Sequence, residues 1–222
     1  MDKKRSYDEG CAAAHALDLV GERWALLVVR ELLLGPNRFT DLRDGLPHVS
    51  PNVLAQRLRD LETLGVVVKH KLPPPAASQV YELTAWGRGL EPVIMELGRW
   101  GVRSPAMPFT SHTSATAMII ALRTMFSPEA AGDLAATFEL RLGEERFRAQ
   151  VQSGRLELDA QPATNPDAVI GGDTEVLKGL AFGGLPLAEA ARMGLLDVSG
   201  DAQAAARFFG SFRLPEPVEA AA

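Results

Sequence analysis

The sequence has little of several features that mark particular protein classes. It contains 222 residues and one cysteine, Cys11, so no disulfide can form within the chain and a disulfide-rich secreted fold is excluded. Its four histidines fall in different predicted elements without a metal-ligand spacing, so we expect no metal. It also lacks a phosphate loop, a dinucleotide-binding glycine motif and a G-x-S-x-G motif. We therefore expect no cofactor and no enzymatic activity.

Long apolar runs are missing as well. The most apolar stretch, residues 17–34, is interrupted by five charged side chains and cannot cross a bilayer. The first ten residues are not followed by the apolar segment of a secretory signal. The sequence therefore predicts a cytoplasmic protein that has no membrane partner.

The chain also has no overall excess of basic residues, because its formal net charge is −5. The acidity is confined to the second part. Residues 1–104 carry 14 Lys and Arg against 13 Asp and Glu, whereas residues 105–222 carry 9 against 15. Binding to phosphate depends on where the cations lie, so the first part remains compatible with nucleic acid.

The order of elements in the first part is typical of a winged helix-turn-helix. Helical spacing predicts helices over 12–20 and 22–34, a short helix over 39–46, and a further helix from Pro51 to about residue 64. Ser50 suits the N-cap of that helix, Pro51 its first turn, and Gly65 its C-terminal cap. Strands over 66–72 and 79–84 with a proline-rich loop form the wing, and a long helix is predicted over 85–102.

The helix that starts at Pro51 has one apolar and one polar side. At about 100° per residue, Asn52, Gln56 and Arg59 point away from the leucines, with Arg57 on the flank. Arginine reads guanine, and asparagine or glutamine reads adenine, in the major groove. Basic residues of the wing and the ends of the helices would hold phosphates. The predicted DNA contacts are Arg38, Thr40, Ser50, Asn52, Gln56, Arg57, Arg59, Lys69, His70 and Lys71. The alternative is an ordinary solvated helix face beside a charged hairpin.

The second part changes to an α+β pattern. An apolar helix is predicted over 115–126, strands over 137–142, 145–152, 155–159 and 168–171, and helices over 173–181, 186–193 and 203–212. The expected fold therefore has two domains. A mainly α winged helix-turn-helix domain spans 1–104, and an α+β domain over 111–214 has a small, mostly antiparallel sheet covered by helices. The tail from residue 215 is expected to be frayed.

Several motifs of the first part resemble the HxlR-type winged-helix regulators, which are related to the MarR group. They are C-x-x-x-x-A-L-D-L-V-G-E-R-W at 11–24, L-L-V-V-R-E-L-L-L-G-P-x-R-F at 26–39, L-P-x-V-S-P-N-V-L-A-Q-R-L-R-D-L-E at 46–62 and Y-E-L-T-x-x-G at 81–87. The resemblance implies a DNA-binding transcription regulator. It also implies a homodimer, built from the N-terminal helices and the helix after the wing, on a pseudo-palindromic operator in double-stranded DNA.

The second part resembles the sterol-carrier-protein-type lipid-binding fold. The residues concerned begin with F-E-L-R-L-G at 138–143 and include P-D-A-V-I-G-G-D at 166–173 and G-L-L-D-V-S-G-D at 194–201. The resemblance implies an apolar cavity for a small ligand. The candidate ligand contacts are Phe138, Phe147, Leu158, Leu177, Leu180, Phe182, Met193, Phe208 and Phe212. For each of them taken singly, ordinary core packing is the plainer interpretation, and the sequence does not separate the two roles.

Two other functions stay open. The chain is a lipid carrier if the winged helix serves only for dimerisation. It is a thiol-based redox sensor if Cys11 responds to oxidants. Two features favour this hypothesis: Cys11 aligns with a cysteine that some HxlR-type regulators use for sensing, and it precedes a helix whose dipole lowers a thiol pKa. The neighbouring Asp8 and Glu9 oppose that effect, and a small residue buried in the dimer is the plainer interpretation.

Overall fold

The computed structural model describes residues 6–219 and divides the chain into two compact units, Met1–Ile94 (unit 1) and Met95–Ala222 (unit 2). Residues 1–5, the start of the predicted non-secretory N-terminus, lie outside the described residues. The two-domain class predicted from the sequence is confirmed, with a helical winged unit followed by an α+β unit. The boundaries 1–104 and 111–214 remain a prediction.

Unit 1 begins with four helices: α1 (Ala12–Val20), α2 (Ala25–Leu32), α3 (Phe39–Gly45) and α4 (Pro51–Thr63). Helix α2 packs against α3 and α4, and the core between them consists of aliphatic side chains: Val28, Val29, Leu32, Leu42, Leu54, Leu58 and Leu61. Helix α2 starts three residues later than predicted. Trp24 has a left-handed backbone, with φ of +78°, and therefore cannot belong to a right-handed helix.

Helix α4 begins and ends as its sequence predicts. The Ser50 hydroxyl accepts a hydrogen bond from the Val53 N–H at 3.4 Å, and Pro51 occupies the first turn. Gly65 follows the helix with φ of +73°, a conformation that glycine adopts without strain. These local interactions determine which residues the N-terminus of α4 exposes.

The wing consists of β1 (Val67–Lys71), antiparallel β2 (Gln79–Leu83) and the loop between them. The short helix α5 (Ala85–Arg88) follows, and its Gly87 is needed because a Cβ there would lie 2.1 Å from the Val66 carbonyl oxygen. Helix α6 (Glu91–Gly101) comes next. The prediction of one long helix over 85–102 is wrong, because the helix is interrupted at Gly89 and Leu90. The interruption places Pro92 in the first turn of α6, where a proline is tolerated because the missing N–H would have no partner within the helix.

Unit 2 is built on a five-stranded sheet with the order β5-β4-β3-β6-β7. Its elements are α7 (Ala115–Met125), α8 (Pro128–Ala131), β3 (Ala136–Leu142), β4 (Glu145–Gln152), β5 (Arg155–Asp159), β6 (Ala168–Gly172), α9 (Thr174–Phe182), α10 (Leu187–Arg192), β7 (Leu196–Gly200) and α11 (Ala202–Phe209). The β3–β6 pairing is parallel, and the other pairings of the described sheet are antiparallel, which confirms the mostly antiparallel prediction.

Three details of unit 2 differ from the predictions. Strand β7 was not predicted, and α11 ends at Phe209 because the chain turns there to form a bridge between Phe212 and Phe126. The tail from residue 215, expected to be frayed, contacts the rest of unit 2 as far as residue 218, because the Val218 N–H donates a hydrogen bond to the Arg103 carbonyl at 2.9 Å. Within residues 6–219, no helix has the length and apolarity needed to cross a membrane.

Candidate nucleic-acid interface and apolar pocket

The exposed side of α4 carries a connected row of polar side chains. Asn52, Gln56 and Arg59 are all exposed. Arg59 Nη2 donates to Gln56 Oε1 at 2.7 Å, and Gln56 Nε2 donates to Asp60 Oδ1 at 2.8 Å. The amide of Gln56 therefore orients the Arg59 guanidinium while leaving most of its donors open to solvent.

Arg57 lies differently from the other predicted contacts on α4. Its side chain is only 18% exposed, with Nη1 3.1 Å from Asp60 Oδ2 and 3.8 Å from Glu22 Oε2. Its Nε is buried without a hydrogen-bond partner. Glu22 precedes α2, so its contact with Arg57 connects α4 to the segment between α1 and α2. To reach DNA, the guanidinium would have to leave both carboxylates.

The basic residues of the wing occupy two sides of the hairpin. Lys69 and Lys71 are exposed and lie on the same side of β1, with Lys69 Nζ 5.5 Å from the centre of the Tyr81 ring. His70 lies on the other side, with Nε2 2.9 Å from Glu82 Oε2. Glu82 also accepts a hydrogen bond from Arg88 at 2.7 Å, so His70 and Arg88 share one carboxylate. Arg88 is a further basic residue of this region that the sequence analysis did not select, because it follows the wing rather than lying within it.

The loop before α3 fixes the wing beside the helix-turn-helix. Asn37 forms a backbone bridge to Tyr81 of β2, and its Nδ2 donates to the Glu31 carbonyl of α2 at 2.6 Å. The next residue, Arg38, is exposed, and its backbone N–H donates to Asp41 Oδ2 at 3.0 Å. Thr40 is exposed too, with its hydroxyl 3.2 Å from Asp41 Oδ1. The predicted contacts at Arg38 and Thr40 are thus displayed at the N-terminus of α3, beside one acidic side chain.

Comparison with known proteins agrees with this arrangement. The sequence profile of the HxlR-like helix-turn-helix family matches residues 19–106. YvaP of Bacillus subtilis (strain 168), described as an uncharacterized HTH-type transcriptional regulator, is 38% identical over 85 residues, which are 38% of this chain and 79% of YvaP. The chain belongs to the HxlR-like helix-turn-helix family. This HxlR-like protein is accordingly a DNA-binding transcription regulator, as the sequence motifs predicted.

Other relatives match the same part of the HxlR-like protein. YybR of Bacillus subtilis, another uncharacterized HTH-type transcriptional regulator, is 34% identical over 105 residues, covering 45% of this chain and 82% of YybR. The reduced form of the transcriptional regulator YodB from B. subtilis is a similar solved structure, with 32% identity and a TM-score of 0.39 over 45% of this chain and 98% of YodB. YvaP and YybR are both named as HTH-type transcriptional regulators.

Unit 2 matches the SCP-2 sterol transfer family over residues 122–213, which confirms the predicted sterol-carrier resemblance. An apolar pocket of about 410 Å³ lies between α9, α10, β7 and α11. Much of its wall is made of small side chains on α10 and α11: Ala188, Ala191, Ala202 and Ala206. Sequence reasoning selected large apolar residues and passed over these alanines, although small residues are what leave space between helices.

The nine predicted ligand contacts, all within the described residues, are distributed mainly in the core. Leu180 alone lines the 410 Å³ pocket. The Phe138 and Phe208 rings stack at 4.6 Å, and Phe208 meets Phe212 edge-on at 5.1 Å. Phe147, Leu158 and Leu177 are buried, Phe182 is half-buried, and Met193 is 57% exposed. Their part in binding a ligand remains a prediction.

Cys11 is the N-cap residue of α1 and is exposed. The thiol makes no direct capping hydrogen bond, yet the backbone N–H groups of Ala14 and Ala13 in the first turn lower the pKa of Cys11. A lower thiol pKa increases the share of the thiolate, which is the reactive form of cysteine. Metal chemistry has no comparable support, since residues 6–219 hold no group of three or more His, Cys, Asp or Glu side chains placed to bind an ion.

Proposed function

We propose that this HxlR-like regulator binds a pseudo-palindromic operator as a homodimer. In each half-site α4 occupies the major groove, with Asn52, Gln56 and Arg59 facing the bases and the wing lysines on flanking phosphates. The observation that carries this proposal is the exposed, capped row of amides and a guanidinium on α4. A two-fold dimer on successive turns of DNA would hold the two α4 helices about 34 Å apart.

The proposed dimer uses α1 and α6. No residue of α6 is buried by the rest of the described chain, although Val93, Leu97 and Trp100 form an apolar stripe along it. Leu17 of α1 is also exposed. Exposed apolar stripes of this kind usually mark an interface. A DNA-binding regulator must be in the compartment that holds the chromosome. The predicted cytoplasmic location is therefore part of this proposal.

The direct test is binding to a DNA fragment from the region upstream of the protein's own gene. A regulator of this type should bind with an affinity that falls steeply with salt, because the phosphate contacts release counterions. Arg59→Ala should weaken binding at fixed salt, whereas Arg155→Ala, an exposed arginine on β5 of unit 2, is the control. Equal affinities for the two variants would contradict the proposed contact face.

We further propose that an apolar small molecule in the 410 Å³ pocket modulates DNA binding. A ligand shifts the protein between two states only if it binds them with different affinity. Ala191→Phe should fill the pocket from α10, and it leaves the sequence of unit 1 unchanged. The expected result is that the variant does not retain an apolar ligand that mass spectrometry detects in the parent protein, and that its DNA affinity does not change when this ligand is added.

The same pocket supports a second candidate function, that of a lipid carrier in which the winged helix only dimerises. The two functions differ in one measurement. A carrier retains an apolar ligand through purification but does not shift DNA. A regulator shifts DNA with the salt dependence given above.

A further inference from the structure

Unit 2 contains a second pocket, of about 530 Å³, which shares no lining residue with the apolar pocket. It lies between the last turns of α6, the end of α7 and the segment that follows α11. Three arginines line it: Arg99, Arg103 and Arg213. The lining that residues 6–219 provide has one acidic side chain, Glu96, which pairs with Arg99. The pocket is therefore basic within the acidic part of the chain.

Backbone carbonyls hold the three guanidiniums in place. Arg99 Nε donates to the Thr124 carbonyl at 3.2 Å, Arg103 Nε donates to the Glu216 carbonyl at 3.0 Å, and Arg213 Nη1 donates to the Gly210 carbonyl at 2.7 Å. A carbonyl fixes the orientation of a guanidinium without neutralising its charge. Within residues 6–219, neither Arg103 nor Arg213 forms an ion pair. Two oriented and uncompensated cations thus border the same pocket.

Apolar surface completes the lining. Trp100, 77% exposed, presents its indole ring at the edge, and Met125, Phe126 and Leu214 contribute further apolar atoms. A volume of about 530 Å³ lies within the range of sites for small organic ligands, roughly 300–1,000 Å³. The combination of cations and an exposed aromatic ring fits an amphipathic anion better than either a bare ion or a purely apolar molecule.

We infer that this pocket binds a small organic monocarboxylate with an aromatic or apolar body. Arg103 and Arg213 bind the carboxylate, since the planar guanidinium fork matches a carboxylate with two parallel hydrogen bonds. Trp100 packs against the body of the ligand. Inorganic phosphate has no apolar body for Trp100 to contact, so the same pocket favours an organic carboxylate over phosphate.

Such a ligand would contact α6 directly through Trp100, which also ends the exposed apolar stripe of that helix. If α6 forms the proposed dimer, occupancy of the pocket alters the surface that the two copies share. This coupling rests on the proposed function, whereas the binding itself does not.

The test uses the full chain and two probes of similar shape, 1-naphthoate and the uncharged 1-naphthalenemethanol, in isothermal titration calorimetry at fixed low salt. The parent protein should bind the carboxylate more tightly than the alcohol. Replacing both guanidiniums (Arg103→Gln with Arg213→Gln) should weaken naphthoate binding by at least about ten-fold, since charge-assisted hydrogen bonds are lost, and should leave the alcohol unaffected.

The matched control is Arg155→Gln with Arg192→Gln, which changes the net charge equally at exposed positions outside the pocket. Circular dichroism checks the fold, and Arg213→Gln alone serves if the double variant unfolds. Equal affinity of the parent for the two probes, equal weakening in the control, or displacement of naphthoate by inorganic phosphate at a lower concentration than by benzoate would overturn the inference. Loss of DNA binding in any variant would bear on the proposed function and not on this site.

Discussion

Arg57 and Arg59 lie two residues apart on α4, and replacing each by alanine should change a different property of the protein. Arg57 is 18% exposed and lies 3.1 and 3.8 Å from two carboxylates, so Arg57→Ala should reduce the free energy of unfolding. Arg59 is exposed, and among the described residues its side chain is hydrogen-bonded to Gln56 alone, so Arg59→Ala should leave stability almost unchanged and reduce DNA affinity.

The expected sizes follow from those environments. Each partly exposed ion pair of Arg57 contributes about 0.3–1 kcal/mol, and its half-buried stem adds about 1 kcal/mol of packing. The unpartnered Nε offsets part of this stabilisation, because a buried donor without a partner is unfavourable. Arg57→Ala should therefore lower the free energy of unfolding by about 1–2 kcal/mol. A lost bidentate base contact at Arg59 is worth about 1–3 kcal/mol, or roughly 5- to 150-fold in affinity.

Urea unfolding measures the first effect, and fluorescence anisotropy with operator DNA over a salt series measures the second. If Arg59 contacts a base, the loss of affinity in Arg59→Ala should depend on the DNA sequence. If it contacts a phosphate, the slope of log affinity against log salt concentration should instead fall in magnitude by about one. The reasoning is refuted if Arg57→Ala has the same urea midpoint of unfolding as the parent protein but binds DNA more weakly, with a smaller dependence of affinity on salt. Arg57 would then be a contact to the DNA backbone.

Three further predictions concern single side chains. Ser50→Ala should destabilise unit 1 by about 1 kcal/mol in urea unfolding, and Ser50→Asn should not, because asparagine caps equally well; equal losses would argue against the capping role. The hydrogen bond from Arg141 lowers the pKa of buried Glu139 in the folded protein. The ionised carboxylate therefore stabilises the fold above the unfolded pKa, near 4.5, and this contribution is lost as the pH falls through the lower folded pKa. Glu139→Gln should make the free energy of unfolding less dependent on pH, measured between about pH 3 and 6. Cys11→Ser should abolish alkylation by iodoacetamide, measured by mass, without changing DNA affinity; a loss of affinity would place Cys11 in the fold rather than in sensing.

Local chemistry explains why the start of α4 could be predicted. Ser50 and Pro51 act within one turn, and their effect does not depend on the rest of the fold. The break before α6 is equally local, since Gly89 and Pro92 both signal it, but the apolar spacing across residues 85–102 predicts an uninterrupted helix. Helical spacing is a weaker guide than a proline, because a short loop can preserve the spacing by chance.

The features that escaped prediction depend on distant residues. The contact of Arg57 with Glu22 joins positions 35 residues apart, and nothing near Arg57 in sequence indicates it. Strand β7 is short and begins two residues after Gly194, so it becomes a strand only through its pairing with β6. The pocket beside α10 has the same origin, because the alanines leave space only where two helices and a strand approach each other.

The parallel pairing of β3 with β6 also has a consequence for how unit 2 assembles. Strands β3, β4 and β5 are joined by two-residue turns and can pair as soon as they leave the ribosome. Phe138 of β3 meets Ala168 of β6 only after thirty further residues have been made, and β7 pairs later still. Until then β3 presents a free edge, which is where nascent chains pair wrongly with one another. We expect the slowest folding step of this unit, and its greatest tendency to aggregate, at the closure of that edge.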